Sequence, residues 1–179
     1  MNNKKCLLVI DVQKGMFNLP RKLYKSNIIL NNITTLIEKA RKENAIIIYM
    51  QHYGNEDSPF KENSEGWKIH SKISPGKNDL VLKKTHSDSF HDTELDDILK
   101  NNSINNLVIC GFVTEGCVDT TIRRAKSLGY NLEVVSDGHS TTDSNILRAE
   151  QIINHHNEVF KIFSKVKRSK EIVLRNNLY

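Results

Sequence analysis

The sequence predicts an α/β fold in three layers: an open, mainly parallel six-stranded sheet covered by helices on both faces. Three observations predict it. Short apolar runs recur along the 179 residues without polar alternation, as expected of strands covered on both faces. Between them lie segments whose apolar residues follow a 3.6-residue period, which suits helices packed on a sheet. The two kinds of segment alternate, and that calls for parallel strands joined by helical crossovers. Roughly 100–200 residues per domain is usual, so one domain spanning 1–179 is expected. No internal repeat or low-complexity linker interrupts it.

Each element follows from its residues. CLLVID (6–11) is the first strand. A loop with Gly15 and Pro20 leads to a helix from Ser26, the expected N-cap, with Ile29, Leu30, Ile33, Leu36, Ile37 and Ala40 on one face. AIIIYM (45–50), rich in β-branched residues, is the second strand. Residues 52–79 break the pattern with Gly54, Pro59, Gly66, Pro75 and Gly76, and a connection this long is commonly a functional loop or lid. DLVLKK (79–84) is the third strand, and a helix over 93–101 follows on Leu95, Ile98 and Leu99. LVICGF (107–112) is the fourth strand; the helix from Glu115 to Leu128 stops at Gly129, a suitable C′ residue. LEVVSD (132–137) is the fifth strand. A helix from Asp143 to His156 and a sixth strand, EVFKIF (158–163), complete the pattern.

Composition narrows the function. The net charge is +5 and the pI near 9.0, but the lysines are spread along the chain. The densest run, Lys161 to Lys170, carries apolar residues at helical spacing, and charge runs are usually solvated faces. No nucleic-acid partner is expected, while an anionic substrate is permitted. No apolar stretch approaches the ~20 residues that span a bilayer, so no membrane partner is expected either. The N-terminal apolar run is short and meets Asp11 instead of a cleavage site, which argues against a signal peptide. Cys6, Cys110 and Cys117 show neither CxxC nor Cys/His spacing, so no disulfide framework or zinc finger is indicated. A cytoplasmic protein is the expectation.

In open parallel sheets ligands bind outside the carboxyl ends of the strands. There the first strand ends in Asp11, the third in Lys84, and the fourth runs into GFVTEGC with Cys117. Each residue also has an ordinary reading: Asp11 as a turn residue, Lys84 as a surface lysine, Cys117 as a small buried side chain. Together they suggest chemistry. At about the third position of a helix N-capped by Thr114, Cys117 would have its thiolate favoured by free N–H groups, the helix dipole and a nearby ammonium. Asp11 would take the thiol proton and return it to a leaving amine. The backbone N–H of Cys117 and another from the preceding loop would hold an oxyanion.

The segments LLVIDVQKGMF (7–17), VLKKTHSDSFHDTEL (81–95) and LVICGFVTEGCVDTTIRRAKSLGYNLEVVSDGHSTTD (107–143) resemble the three signature blocks of the isochorismatase-like cysteine hydrolases, in order and spacing. The last block is the most specific. The resemblance implies an Asp-Lys-Cys triad of Asp11, Lys84 and Cys117, with Lys84 selected over Lys83 by its spacing to Phe90. Only one of the two lysines can face the site, because side chains alternate along a strand. It also implies a cis peptide between Phe112 and Val113, with the N–H groups of Val113 and Cys117 as oxyanion hole, and Gln13 as an orienting partner near Asp11. Pocket candidates are Gln13, Phe17, Gln51, Trp67, His70 and Gly116. Gly116 replaces a larger residue and would widen the pocket; Trp67 and His70 line the pocket or a subunit contact, or Trp67 simply anchors its loop to the core. Nicotinamidases of the family carry an Asp-x-His metal cluster after the second strand. Here that place reads YMQHYGNED, with His52 lacking a second histidine at ligand spacing, so no metal and no cofactor are expected.

True isochorismatases do not use the cysteine, so Cys117 argues for hydrolysis of a C–N bond in a small amide, carbamoyl or ureido substrate through a thioester, in a homodimer or homotetramer. The competing reading is a non-enzymatic, redox-responsive or binding protein with a reactive Cys117. His86 and His91 lie beside the lysine without a role in this scheme, Asp137 is expected to brace a loop, and Cys6 and Cys110 to be buried and inert.

Overall fold

Cys6, Leu7, Leu8, Val9 and Ile10 are all buried, which no strand with one wet face could be. They belong to β1 (Lys4–Ile10) of a computed structural model that describes residues 4–175. With β2 (Ile46–His52), β3 (Leu80–Lys84), β4 (Ile104–Phe112), β5 (Asn131–Ser140) and β6 (Lys165–Lys167), it forms an all-parallel sheet in the order β3-β2-β1-β4-β5-β6. Alternate residues serve two cores. Leu7 and Val9 pack toward α1 (Ser26–Lys42), whose Ile29, Leu30, Ile33, Leu36, Ile37 and Ala40 are buried as the periodicity requires. Cys6, Leu8 and Ile10 face α2 (Leu95–Asn101), α3 (Asp119–Ser127) and α4 (Ala149–Phe160). The expected three-layer α/β sandwich is therefore present. Among the described residues, no helix is long and apolar enough to cross a membrane.

One glycine sets the centre of the sheet. Gly111 has φ +133°, and a Cβ there would lie 2.0 Å from the Ile10 carbonyl oxygen. Only a residue without a side chain lets β4 run this close to the end of β1.

Three local expectations are corrected. Ser26 does not cap α1: Lys25 does, in the left-handed region at φ 47°, with no side-chain cap, and Ser26 is the first helical residue. The fourth helix starts at Ala149 and not near Asp143, because Ser144 Oγ accepts the N–H groups of Ile146 and Leu147 and ties that stretch into a turn. Asp143 still serves the helix, its Oδ1 accepting the Ala149 N–H at 2.7 Å. EVFKIF is not a strand. Glu158 to Phe160 finish α4, Phe160 is fully buried, and the N–H groups of Phe163 and Ser164 bond back to the Phe160 carbonyl. The true sixth strand is the short, polar Lys165–Lys167, paired with Glu133, Val134 and Val135. A six-residue apolar run does not separate a helix end from a strand.

Candidate active site

From β1 the chain steps outward to β2 and β3, and from β4 it steps the other way to β5 and β6. The crevice of such a sheet opens at the carboxyl ends of the two central strands. Asp11 follows β1 directly, at φ 53° in the left-handed region, which costs an aspartate energy and tends to persist where function holds it. Its N–H bonds to the Met50 carbonyl at 3.0 Å. Lys84 closes β3, in register with His52 at the end of β2. It reaches across β2 and gives all three ammonium protons away: to Asp11 Oδ2 at 2.8 Å, the His86 carbonyl at 3.1 Å and Cys117 Sγ at 3.3 Å. The Asp11 and Lys84 side chains are 0% exposed. Lys83, one residue earlier, points to the opposite face, pairs with Glu62, and holds its Nζ 5.3 Å from the Trp67 ring centroid.

Cys117 does not lie in the first turn of an α-helix N-capped by Thr114. It sits in a single π-turn, Thr114–Val118, broken by non-helical angles at Gly116 (φ −106°, ψ −107°), and α3 starts only at Asp119. The Phe112–Val113 peptide ahead of it is cis. The N–H groups of Gly116 and Val118 both bond to the Val113 carbonyl, and the Asp119 N–H returns to the turn. A Cβ on Gly116 would meet Val113 Cγ2 at 3.0 Å, so the glycine relieves crowding inside this turn.

A buried chain absent from the sequence reading supports the turn. Thr114 Oγ1 lies 2.9 Å from His139 Nδ1, and His139 Nε2 lies 3.1 Å from Asn157 Oδ1. The Asn157 amide donates to the Ser136 carbonyl, so its oxygen accepts from His139 Nε2–H, and the Thr114 hydroxyl donates to Nδ1. Burial pushes His139 down to about 4, which keeps it neutral. The polar GHST after the apolar VV of β5 was the available signal.

Electrostatics overturn the expected thiolate. Burial pushes the Cys117 thiol up to about 11, the Asp11 carboxylate adds to the shift, and the Lys84 ammonium opposes both. Cys117 therefore rests as a thiol. Cys110 is pushed up to about 12 by burial alone and Cys6 higher still, as suits inert core residues.

The pocket candidates divide. Gln13 is fully buried but does not orient Asp11: its amide donates to the carbonyls of His52 and Trp67, each at 2.8 Å, and its oxygen accepts the His52 N–H. Gln51 donates to the same Trp67 carbonyl at 2.9 Å. Both glutamines pin the 53–79 connection to the strand ends, and both amide groups donate to backbone carbonyls. The Phe17 ring packs between His70 and Phe112, at 4.6 and 5.6 Å. His70 Nδ1 accepts the Lys72 N–H, which ties this histidine to a loop turn. Among the described residues, three buried polar atoms have no hydrogen-bond partner: Asp11 Oδ1, His52 Nδ1 and Trp67 Nε1. His52 is lowered by burial, then by the Lys84 charge against an opposing effect of Asp11, so it stands within the field of the pair. Asp137 accepts the N–H and hydroxyl of Ser169, bracing the C-terminal segment.

The isochorismatase domain profile matches residues 5–163. The chain is 31% identical over 137 residues to streptothricin hydrolase of Streptomyces noursei, covering 76% of this chain and 54% of that protein. It thus spans about half the length of that curated relative. A crystal structure of an isochorismatase family protein superposes with a TM-score of 0.86 at 35% identity, covering 91% of this chain and 97% of that one. N-carbamoylsarcosine amidase from Thermoplasma acidophilum superposes with a TM-score of 0.78 at 25% identity, covering 94% and 98%.

Proposed function

The chain belongs to the isochorismatase family, and on that premise we propose that it is a cysteine hydrolase that cleaves a C–N bond of a small amide, carbamoyl or ureido substrate. One observation carries the reading: a single buried ammonium, Lys84, is hydrogen-bonded to both Asp11 and Cys117 at the switch point of the sheet. The names of the two hydrolytic relatives, one an amidase, support the bond type.

The chemistry follows from the charges. With the thiol raised to about 11, the nucleophile needs a base, and Asp11 is the carboxylate beside it. Asp11 takes the S–H proton as sulfur attacks the carbonyl carbon. The N–H groups of Val113 and Cys117, which do not close the π-turn, hold the oxyanion. Collapse breaks the C–N bond, and the Asp11 proton leaves with the nitrogen as ammonia or amine. Water then attacks the thioester, giving a proton to Asp11; the C–S bond breaks, and the proton returns to sulfur. Lys84 fixes the carboxylate and offsets negative charge on both partners. The unpartnered His52 Nδ1, within the field of the Lys84–Asp11 pair, offers the substrate a polar contact, since buried groups of this kind cost free energy until a partner arrives.

The test is ammonia release from a panel of primary amides, carbamoyl compounds and ureido acids, comparing the native protein with Cys117→Ala. Release by the native protein alone is the expected result, with a Cys117 acyl adduct in the intact mass of quenched turnover. Equal release by a folded Cys117→Ala variant would overturn the reading. The raised thiol counts against the redox alternative, which needs a low-pKa cysteine.

A further inference from the structure

We propose that His86, His91 and Asp92 form a binding site for a divalent transition-metal ion of zinc-like chemistry, separate from the Asp11–Lys84–Cys117 group and independent of the hydrolase reading. The three side chains converge on the surface. His86 Nε2 lies 3.7 Å from Asp92 Oδ2, and His91 Nε2 lies 3.3 Å from the same oxygen. Their ligand atoms all fall within 4.8 Å of one another, and the imidazole centroids are 4.1 Å apart. Ligands bonded to zinc at about 2.0–2.1 Å in a tetrahedron stand about 3.4 Å from each other. The two measured edges bracket that value, so small side-chain rotations suffice to close the set. Two imidazoles and one carboxylate suit zinc and neighbouring first-row ions, and they leave a fourth position for water.

The loop is already built for it. Thr121 of α3 accepts the Ser89 N–H at 3.1 Å, and its hydroxyl lies 2.9 Å from Ser89 Oγ and 3.4 Å from the Ser87 carbonyl. Asp88 Oδ1 accepts the Phe90 N–H at 2.8 Å, and the Phe90 ring stacks on Tyr130. The backbone between the two histidines is thus fastened to α3 and to Tyr130, the residue just ahead of β5, and little ordering is left for a metal to impose. Asp92 is held at φ 51°, which turns the chain back so that a residue next to His91 also meets His86. This surface lies beside the crevice, because the His86 carbonyl is one of the three acceptors of the Lys84 ammonium.

The experiment is Zn²⁺ titration of the chelator-stripped full chain, read by calorimetry and by competition with a chromophoric chelator. Cobalt(II) is the spectroscopic probe of geometry. One equivalent should bind, with the visible bands of a four-coordinate cobalt ion. His86→Ala and His91→Ala should each weaken binding by more than the roughly 10–100-fold that follows loss of a residue merely orienting a ligand. Cys117→Ala should leave binding unchanged, which separates this site from the thiol. The outcomes that overturn it are no binding at micromolar Zn²⁺, binding indifferent to both histidine variants, loss in Cys117→Ala, or dependence on His155 and His156 of α4 instead. All three ligands are exposed, so circular dichroism should find the variants folded.

Discussion

Lys83 and Lys84 are adjacent on one strand, and each pairs with a carboxylate, yet they belong to different physical worlds. The Lys83–Glu62 pair links the strand to the 53–79 connection, with side chains 52% and 43% exposed; the Lys84–Asp11 pair has no exposure at all. A pair in water contributes about 0–1 kcal/mol. A buried pair gives up hydration on both partners, and replacing it by apolar residues is often neutral or stabilising. The carboxyl edge of the sheet therefore keeps an arrangement that stability alone does not favour: a left-handed Asp11, a buried ammonium and an unpartnered Oδ1. The difference teaches that the burial of an ion pair, more than its presence, singles out an arrangement that stability alone does not explain.

The largest expected effect breaks the buried pair at its base. Asp11→Asn should lower turnover by about 10²–10⁴-fold, the range of general acid–base catalysis. The same change should speed alkylation of Cys117 by a small thiol reagent at pH 8, because it removes a negative charge that holds the thiol up. Opposite movement of the two rates is the signature. Slower alkylation in a folded variant would mean that the Asp11 charge does not hold the thiol up, and the electrostatic account would fail.

Removing the cation tests the energetics. Lys84→Met strands the buried Asp11 carboxylate and should cost about 3–5 kcal/mol in urea unfolding. The double variant Lys84→Met/Asp11→Asn should recover much of that loss while staying inactive. A double variant as unstable as the single one would make the pair a stability device after all.

Much of this contrast was legible in the sequence, and the reason is periodicity. Continuous apolar runs define β1, β2 and β4 because both faces are covered, and a period of two separates Lys84 from Lys83 once the sheet is placed. What periodicity cannot give is the partner of a polar side chain. Gln13 and Gln51 lie at the right strand ends, but nothing in their spacing says that both grip the Trp67 carbonyl. The π-turn at Gly116 was equally hidden, since a helical pattern continues through it. EVFKIF misled because Phe160 and Phe163 satisfy a helix end as well as a strand.

His139 offers a middle-sized test on the far side of the Cys117 turn. Its folded pKa of about 4 lies below the ordinary 6.5, so between these values the unfolded chain binds the extra proton. Stability therefore rises with pH through this window and is lost on acidification, by at most about 3 kcal/mol from this residue. Denaturation at pH 7 and pH 4.5 should show the loss in the native protein, and His139→Gln should flatten it. An unchanged slope in the variant would remove His139 as the group that titrates.

The smallest expected effect completes the contrast. Lys83→Met removes the exposed pair with Glu62 and the cation over the Trp67 ring, yet it should cost under about 1 kcal/mol and leave turnover as it was. The connection does not depend on that charge: the carbonyl of Trp67 and the backbone of His52 are held by the Gln13 and Gln51 amides, which are buried and unscreened by salt. Gln13→Ala should therefore raise protease cleavage within 53–79 far more than Lys83→Met does. If instead Lys83→Met and added salt both loosened the loop, surface charge would be what holds it, and the line drawn between the two lysines would fall in the wrong place.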